Sequence, residues 1–384
     1  MRGILFARFL SLSLLSLGTN LYAKNSVEEY LPDQYWKSIR LNGNTLCADG
    51  SPFSFFTTKA NFGTDEIVID LPGGGACWNA ETCEMNSGAY TVNIHEFISK
   101  YGSTLGVYDK SRDDNPIKNK NHIVVPYCTG DLLWGESDTT YTLSNGKSFL
   151  IRHRGAVNSK AVLSWIKEHY PNPKKITVIS SSAGAYGAPY LIPYIAEMFP
   201  QAKILEFGDS AISPITHDFA KMAFKNWNIH KNVPGWIPGL DMPHDDVRWN
   251  QLQISYLYEK VAHHYPNIEF AHYTYAYDGF QRFIYDAMGG DMMEWPNIIQ
   301  STLLNLSKKI NFKYFVGPGA EHVIIGFSPF YKLKATDGSS FQQWFKDFID
   351  GKSVENKDCI NCNDEFDTIT EIKSHNSIEY KSEL

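Results

Sequence analysis

Ser182 lies in Lys175-Ile-Thr-Val-Ile-Ser-Ser-Ser-Ala-Gly-Ala-Tyr-Gly187, where a β-branched run, Ile176 to Ile179, gives way to small residues, Ser180 to Ala183. Such a sequence reads as a buried strand stopping in a sharp turn into a helix, because only small side chains let the backbone fold back that tightly. The pattern Ser-x-Ser-x-Gly is one substitution from the Gly-x-Ser-x-Gly elbow that holds a serine hydroxyl clear of a sheet; Ser180 stands where the first glycine would be. A serine hydroxyl needs a histidine to take its proton and a carboxylate to orient that histidine. His322 follows Gly317-Pro-Gly-Ala-Glu, and Asp278 follows the run Phe270 to Tyr277. Rivals remain for both: Asp209, Asp286 and Asp291 for the acid, His263, His264 and His272 for the base. A fourth component is Gly73-Gly-Gly75, directly after Glu66-Ile-Val-Ile-Asp-Leu-Pro72. Three glycines behind a strand expose amides for an oxyanion hole, a plain glycine turn being the competing reading. The Gly-Lys-Ser/Thr of a phosphate loop and the Gly-x-Gly-x-x-Gly of a dinucleotide site are both missing here.

Positioning these groups requires strands that all end on one side. Glu66–Leu71, His122–Cys128, Lys175–Ser180, Lys203–Ser210, Phe270–Tyr277 and Phe312–Val316 read as strands, with helical spacing over Phe149–Tyr170, Trp249–Val261 and Phe341–Ile349. Their alternation predicts an α/β fold: an α/β-hydrolase-like, mostly parallel sheet with helices on both faces, in a single domain over residues 24–350. Residues 214–262, rich in Pro, Trp and His, read as a cap insertion; 84–120 read as a helix and a solvated loop; 351–384 read as a polar tail carrying a CxxC. Trp134, just beyond a strand end, could line a substrate pocket or belong to the core. Trp78, with Trp227, Trp236 and Trp249 of the cap, could stack on sugar rings or enclose an acyl chain, and the small Ala185 leaves room near the nucleophile.

Residues 1–23 carry Arg2 and Arg8, an apolar run from Phe9 to Leu17 and a small-residue end at Ala23, the pattern of a secretory signal peptide. The run is too short to span a bilayer, so a secreted or periplasmic protein without a transmembrane anchor is expected. The balance of 35 basic and 42 acidic residues, net −7, argues against nucleic acid as a partner. In an oxidising compartment six cysteines favour disulfides over a metal site. Local pairing of Cys77 with Cys83 and of Cys359 with Cys362 leaves Cys47 with Cys128. No metal or other cofactor is expected, and the chain is taken as a monomer.

Five motifs in order, Gly73-Gly-Gly-Ala-Cys77 with Cys83, Pro126-Tyr-Cys-x-Gly130, Ser181-Ser-Ala-Gly-Ala185, Tyr277-Asp-x-x-Gln281 and the late His322, resemble the pectin acetylesterase and Notum family of carboxylic ester hydrolases. The resemblance implies Ser182 as nucleophile, Asp278 as acid, His322 as base, and the amides of Gly74, Gly75 and Ala183 as the oxyanion hole. It also implies two kinds of substrate: an acetyl ester of a polysaccharide or a fatty acyl ester of a protein. A short acyl group on a carbohydrate is the expectation. The alternatives are a long-chain acyl esterase or lipase, a thioesterase or peptidase, and a hydrolase-like binding protein without turnover. This chain departs from the family pattern at Ser180 and Ala76, and no cysteine flanks His322 to brace its loop.

Overall fold

Strand-forming runs ended by Pro, Gly or Asp build one nine-stranded sheet in the computed structural model, which describes residues 27–30, 36–60, 63–101, 105–243, 246–359 and 362. The expected export segment and the tail beyond 362 lie outside the described residues. In chain order the strands are β1 (Val27–Tyr30), β2 (Lys37–Arg40), β3 (Ser54–Thr58), β4 (Glu66–Leu71), β5 (Asn121–Val124), β6 (Ser137–Thr142), β7 (Ser148–His153), β8 (Lys175–Ser181), β9 (Lys203–Asp209), β10 (Glu269–Tyr275) and β11 (Phe312–Gly317). The helices are α1 (Ala80–Cys83), α2 (Ile94–Tyr101), α3 (Gly155–His169), α4 (Ala183–Met198), α5 (His217–Trp227), α6 (Ile254–His264), α7 (Gly279–Ala287), α8 (Trp295–Lys309) and α9 (Phe341–Ile349).

The sheet runs β1-β2-β3-β5-β4-β8-β9-β10-β11. From β5 to β11 every neighbouring pair is parallel, while β1, β2 and β3 pair antiparallel. The connection from β4 leads to β5 on one side and that from β8 leads to β9 on the other. Where neighbouring strands diverge this way a crevice opens beyond their carboxyl ends. The chain places Gly73–Gly75 and Ser182 at those two ends.

Alternating side chains bury both faces. Ile67, Ile69, Ile176, Val178 and Phe270 join a core with α3, α4, α6 and α8, whereas Val68, Ile179, Leu205, Phe207 and Phe315 pack with Phe341, Trp344, Phe345 and Phe348 of α9. All six cysteines pair, in the set that joining near neighbours gives: Cys47–Cys128, Cys77–Cys83 and Cys359–Cys362. Among the described residues no helix is long and apolar enough to cross a membrane.

Three readings of the sequence need correction. Residues 149–153 are not the start of a helix but part of β7, which pairs with β6 through a turn at Asn145-Gly146, where Gly146 has φ 84° and the Asn145 side chain accepts from Lys147 N at 3.0 Å. The polar stretch before β5 turns inward: Val107 and Ile117 are fully buried, and buried Asn115 donates to the Val107 and Asp109 carbonyls. In the 214–262 segment, α6 is the crossover helix that parallel β9 and β10 require. The apolar side chains of α5, including Phe219, Phe224 and Trp227, join the main core, so α5 packs against the body of the domain.

Candidate active site

At the end of β8 the backbone of Ser182 takes φ 47° and ψ −128°, a conformation costly for any residue with a Cβ. Surrounding contacts hold it there. Ser182 N donates to the Asp209 carbonyl at 2.8 Å, and Ala185 N donates to the Ser182 carbonyl at 2.9 Å as α4 begins. Glycine is required on both sides of the turn. A Cβ at Gly184 would lie 1.9 Å from the Leu71 carbonyl oxygen, and one at Gly73 would lie 2.5 Å from the Ser182 Cβ. Ser180, at the departure from the glycine pattern, is fully buried, and its hydroxyl donates to the Phe207 carbonyl at 3.1 Å and to Glu206 Oε1 at 3.4 Å. A serine fits there because a buried acid beneath the elbow accepts its hydroxyl.

Asp278 caps α7 and is fully buried; its Oδ1 accepts from Gln281 N at 2.9 Å and its Oδ2 from Gln281 Nε2 at 2.9 Å. His322 Nδ1 lies 3.0 and 2.9 Å from the two carboxylate oxygens, and its Nε2 lies 2.8 Å from Ser182 Oγ. A carboxylate can only accept, so Nδ1 carries the proton and Nε2 offers a lone pair to the serine hydroxyl. The imidazole is one-fifth exposed and lies against Phe280, ring centres 4.6 Å apart. Three loops far apart in sequence thus form one hydrogen-bonded chain from a buried carboxylate to a partly open hydroxyl. Gln281 is a site residue that function-directed reading of the sequence passed over, although it stands in the quoted Tyr277-Asp-x-x-Gln281 motif.

The rivals lie elsewhere. His272 is buried in β10, where desolvation pushes its pKa down to about 3 and its Nε2 accepts from Ala211 N at 3.3 Å. His263 and His264 end α6, and Asp286 and Asp291 are exposed. Asp209 is buried, and its carboxylate binds backbone amides rather than an imidazole.

Opposite Ser182, the amides of Gly74 and Gly75 donate no hydrogen bond to any described residue, and Ala183 N stands at the free amino end of α4. Gly75 has a positive φ of 73°, and a Cβ there would lie 2.0 Å from the Ala89 carbonyl oxygen, so conformation and space both call for glycine. The aromatic candidates fare differently. Trp134 has no exposed surface; it stacks on Tyr190 and its Nε1 donates to the Tyr186 carbonyl at 3.0 Å, so it is a core residue. Ala185 is likewise fully buried, inside α4. Trp78 packs edge-on against Phe219, and Trp227 and Trp249 are buried too, leaving Trp236 as the exposed one of the five. These indoles entered the core because their rings fill the space between the body and α5.

Residues 36–218 match the family model described as pectinacetylesterase. The matched segment, just under half of the chain, contains the glycine loop and the Ser182 elbow and stops short of Asp278 and His322. Among curated relatives, palmitoleoyl-protein carboxylesterase notum1a of Danio rerio is 26% identical over 164 residues, covering 42% of this chain and 31% of its own. Palmitoleoyl-protein carboxylesterase NOTUM of Mus musculus is 24% identical over 205 residues, 51% of this chain and 39% of its own. The matched stretch is therefore less than two-fifths of the length of these two relatives. An inactive palmitoleoyl-protein carboxylesterase, notum1b of Danio rerio, is 29% identical over 147 residues, 37% of this chain and 96% of its own. Likeness to these relatives does not by itself distinguish an active esterase from an inactive one. Among the described residues, the one His, Cys and acid cluster close enough to hold a metal is Cys77, Cys83 and His153. Its sulfurs are joined to each other, and the His153 nitrogens lie 2.9 Å from Tyr141 Oη and 3.0 Å from the Thr129 carbonyl.

Proposed function

We propose that this protein is an exported serine carboxylesterase that works through an acyl-enzyme. The observation that carries this reading is the hydrogen-bonded sequence Ser182, His322, Asp278 on a strained elbow facing the Gly73–Gly75 loop. His322 Nε2 takes the Ser182 proton as Oγ attacks the ester carbonyl, and Asp278 stabilises the imidazolium. The Gly74, Gly75 and Ala183 amides receive the oxyanion. Collapse of the tetrahedral species breaks the bond to the alcohol, which leaves with the proton from His322. Water then attacks the acyl-enzyme, His322 takes its proton, and Ser182 is released with a carboxylic acid.

The substrate is a short acyl ester, acetyl on a carbohydrate. The pectinacetylesterase match supports it, and the acidic, polar surface suits a soluble or wall-bound ester. A second reading, a long acyl chain on a protein, is favoured by the relatives whose names specify a palmitoleoyl-protein substrate. Export is supported by the signal-peptide pattern of residues 1–23 and by three disulfides.

Two measurements test the proposal. Ser182→Ala is expected to remain folded and to lose about three orders of magnitude in kcat on p-nitrophenyl acetate, with Ser181→Ala as the active control. Retained turnover in Ser182→Ala would refute the nucleophile. Across p-nitrophenyl esters from acetate to palmitate, kcat/KM is expected to be greatest for the short chains; a maximum at eight carbons or more would replace the acetyl reading by the long-chain one.

A further inference from the structure

The histidine loop of this chain has no flanking disulfide, yet it must hold His322 in place with Val323 at φ 55°. What grips it is the end of β9. Asp209 Oδ2 accepts from Ile324 N at 2.7 Å and from Ile325 N at 2.9 Å. Ser210 Oγ donates to Asp209 Oδ1 at 3.0 Å and accepts from Val323 N at 3.2 Å. Three successive amides after the histidine are thus bound by one carboxylate and the hydroxyl beside it. On its other side the loop is held by Val107 N, which donates to the Ile325 carbonyl at 2.8 Å. The main chain of the same aspartate, through its carbonyl, accepts from Ser182 N at 2.8 Å.

We propose that Asp209 is a positioning residue that ties the nucleophile and the base to one rigid strand end, setting the Ser182 to His322 distance. The inference rests on the esterase reading above. Asp209 touches neither substrate nor the reacting atoms, so its effect is expected in kcat and not in KM. Burial pushes its carboxyl up to about 6 against the pull of the Ile324 and Ile325 amides, so at neutral pH it is ionised and offers acceptors alone. A displacement of about 1 Å between reacting groups costs on the order of a hundredfold in rate, which sets the scale for losing the brace.

The test compares Asp209→Asn, Asp209→Ala and Ser210→Ala with a control of the same kind, Asp131→Asn. Asp131 is also a fully buried carboxylate that accepts two backbone amides, Leu133 N at 3.2 Å and Gly155 N at 2.7 Å, and its hydrogen bonds go to residues 129–155 and not to the histidine loop. On p-nitrophenyl acetate, well below the melting temperature, Asp209→Asn is expected to lose at least tenfold in kcat with KM within twofold. Asp209→Ala should lose more, because it keeps no acceptor. Asp131→Asn should lower the melting temperature while kcat stays within twofold. Fluorophosphonate labelling of Ser182 should slow in step with kcat. If Asp209→Ala does not fold, Ser210→Ala, which removes the Val323 acceptor alone, is expected to lose several-fold in kcat. A kcat within twofold of the parent in both Asp209→Asn and Ser210→Ala would overturn the proposal. Hydrogen exchange keeps it separate from the esterase reading. Amides 323–325 should lose protection in Asp209→Asn and keep it in Asp131→Asn; unchanged protection overturns the brace whether or not the parent hydrolyses esters. A parent without ester turnover but with that loss of protection would count against the esterase reading alone.

Discussion

Glu206, in the middle of β9, has no exposed surface and lies directly under the nucleophile elbow, accepting from Tyr258 Oη at 3.2 Å and Ser180 Oγ at 3.4 Å. Burial pushes its carboxyl from an ordinary 4.5 up to about 8, more than its two hydroxyl donors pull it down. The folded protein therefore keeps a proton there that the unfolded chain releases near pH 4.5. A carboxyl raised on folding contributes stability that is fully present below its unfolded pKa and is lost as pH rises through the folded one. Across that window the loss is about 1.4 kcal/mol per pH unit, or on the order of 5 kcal/mol in all. Glu206→Gln replaces the protonated acid by a neutral group of the same shape that does not titrate. Urea unfolding of both proteins at half-unit steps from pH 5 to 9 isolates this one group. Asp70, raised to about 7, and Lys110, lowered to about 7, both chiefly by burial, titrate in both proteins and cancel in the difference. The variant should gain on the parent by on the order of 4 kcal/mol between pH 5 and 8 and hold a constant lead above that. Any fixed cost of fitting the glutamine amide shifts the whole difference without changing its slope. Parallel stability curves, differing by a constant within about 1 kcal/mol, would refute the argument that this carboxyl is buried neutral.

Two further outcomes follow from the site and the core. Asp278→Asn would turn an amide NH2 towards His322 Nδ1, leaving the proton on Nε2 where it cannot accept from Ser182; kcat should fall by about three to four orders of magnitude with far-UV circular dichroism unchanged, and a fall of less than tenfold would remove Asp278 from its role. Trp134→Ala should cost about 3 to 5 kcal/mol in urea unfolding, because it empties the space against Tyr190 and Phe224 and removes the indole hydrogen bond to the Tyr186 carbonyl. A raised KM without loss of stability would return Trp134 to the substrate pocket.

By itself the sequence determined what depends on neighbours along the chain. The β-branched run into small residues at Ser182, the glycines after Leu71 and the strand rhythm that makes the sheet parallel are local signals, because each states a backbone preference and a side-chain period. The pairing Cys77–Cys83 was legible for the same reason, its partners being six residues apart. Packing between distant segments decided the rest. Asp209 and Asp278 both end or follow parallel strands and are equivalent to any local reading; only the way the His322 loop folds back puts the imidazole on Asp278 and the amides of 324 and 325 on Asp209. Trp134 at a strand end is equally consistent with a pocket or a core until α5 arrives to cover it with Phe224. The polar stretch before β5 reads as solvated because its composition is averaged, whereas burial follows from single residues, Val107 and Ile117, meeting a loop two hundred residues away in the chain, as the Val107 to Ile325 bond does. Spacing along a chain specifies which residues can do chemistry; the crossover of strands specifies which of them meet.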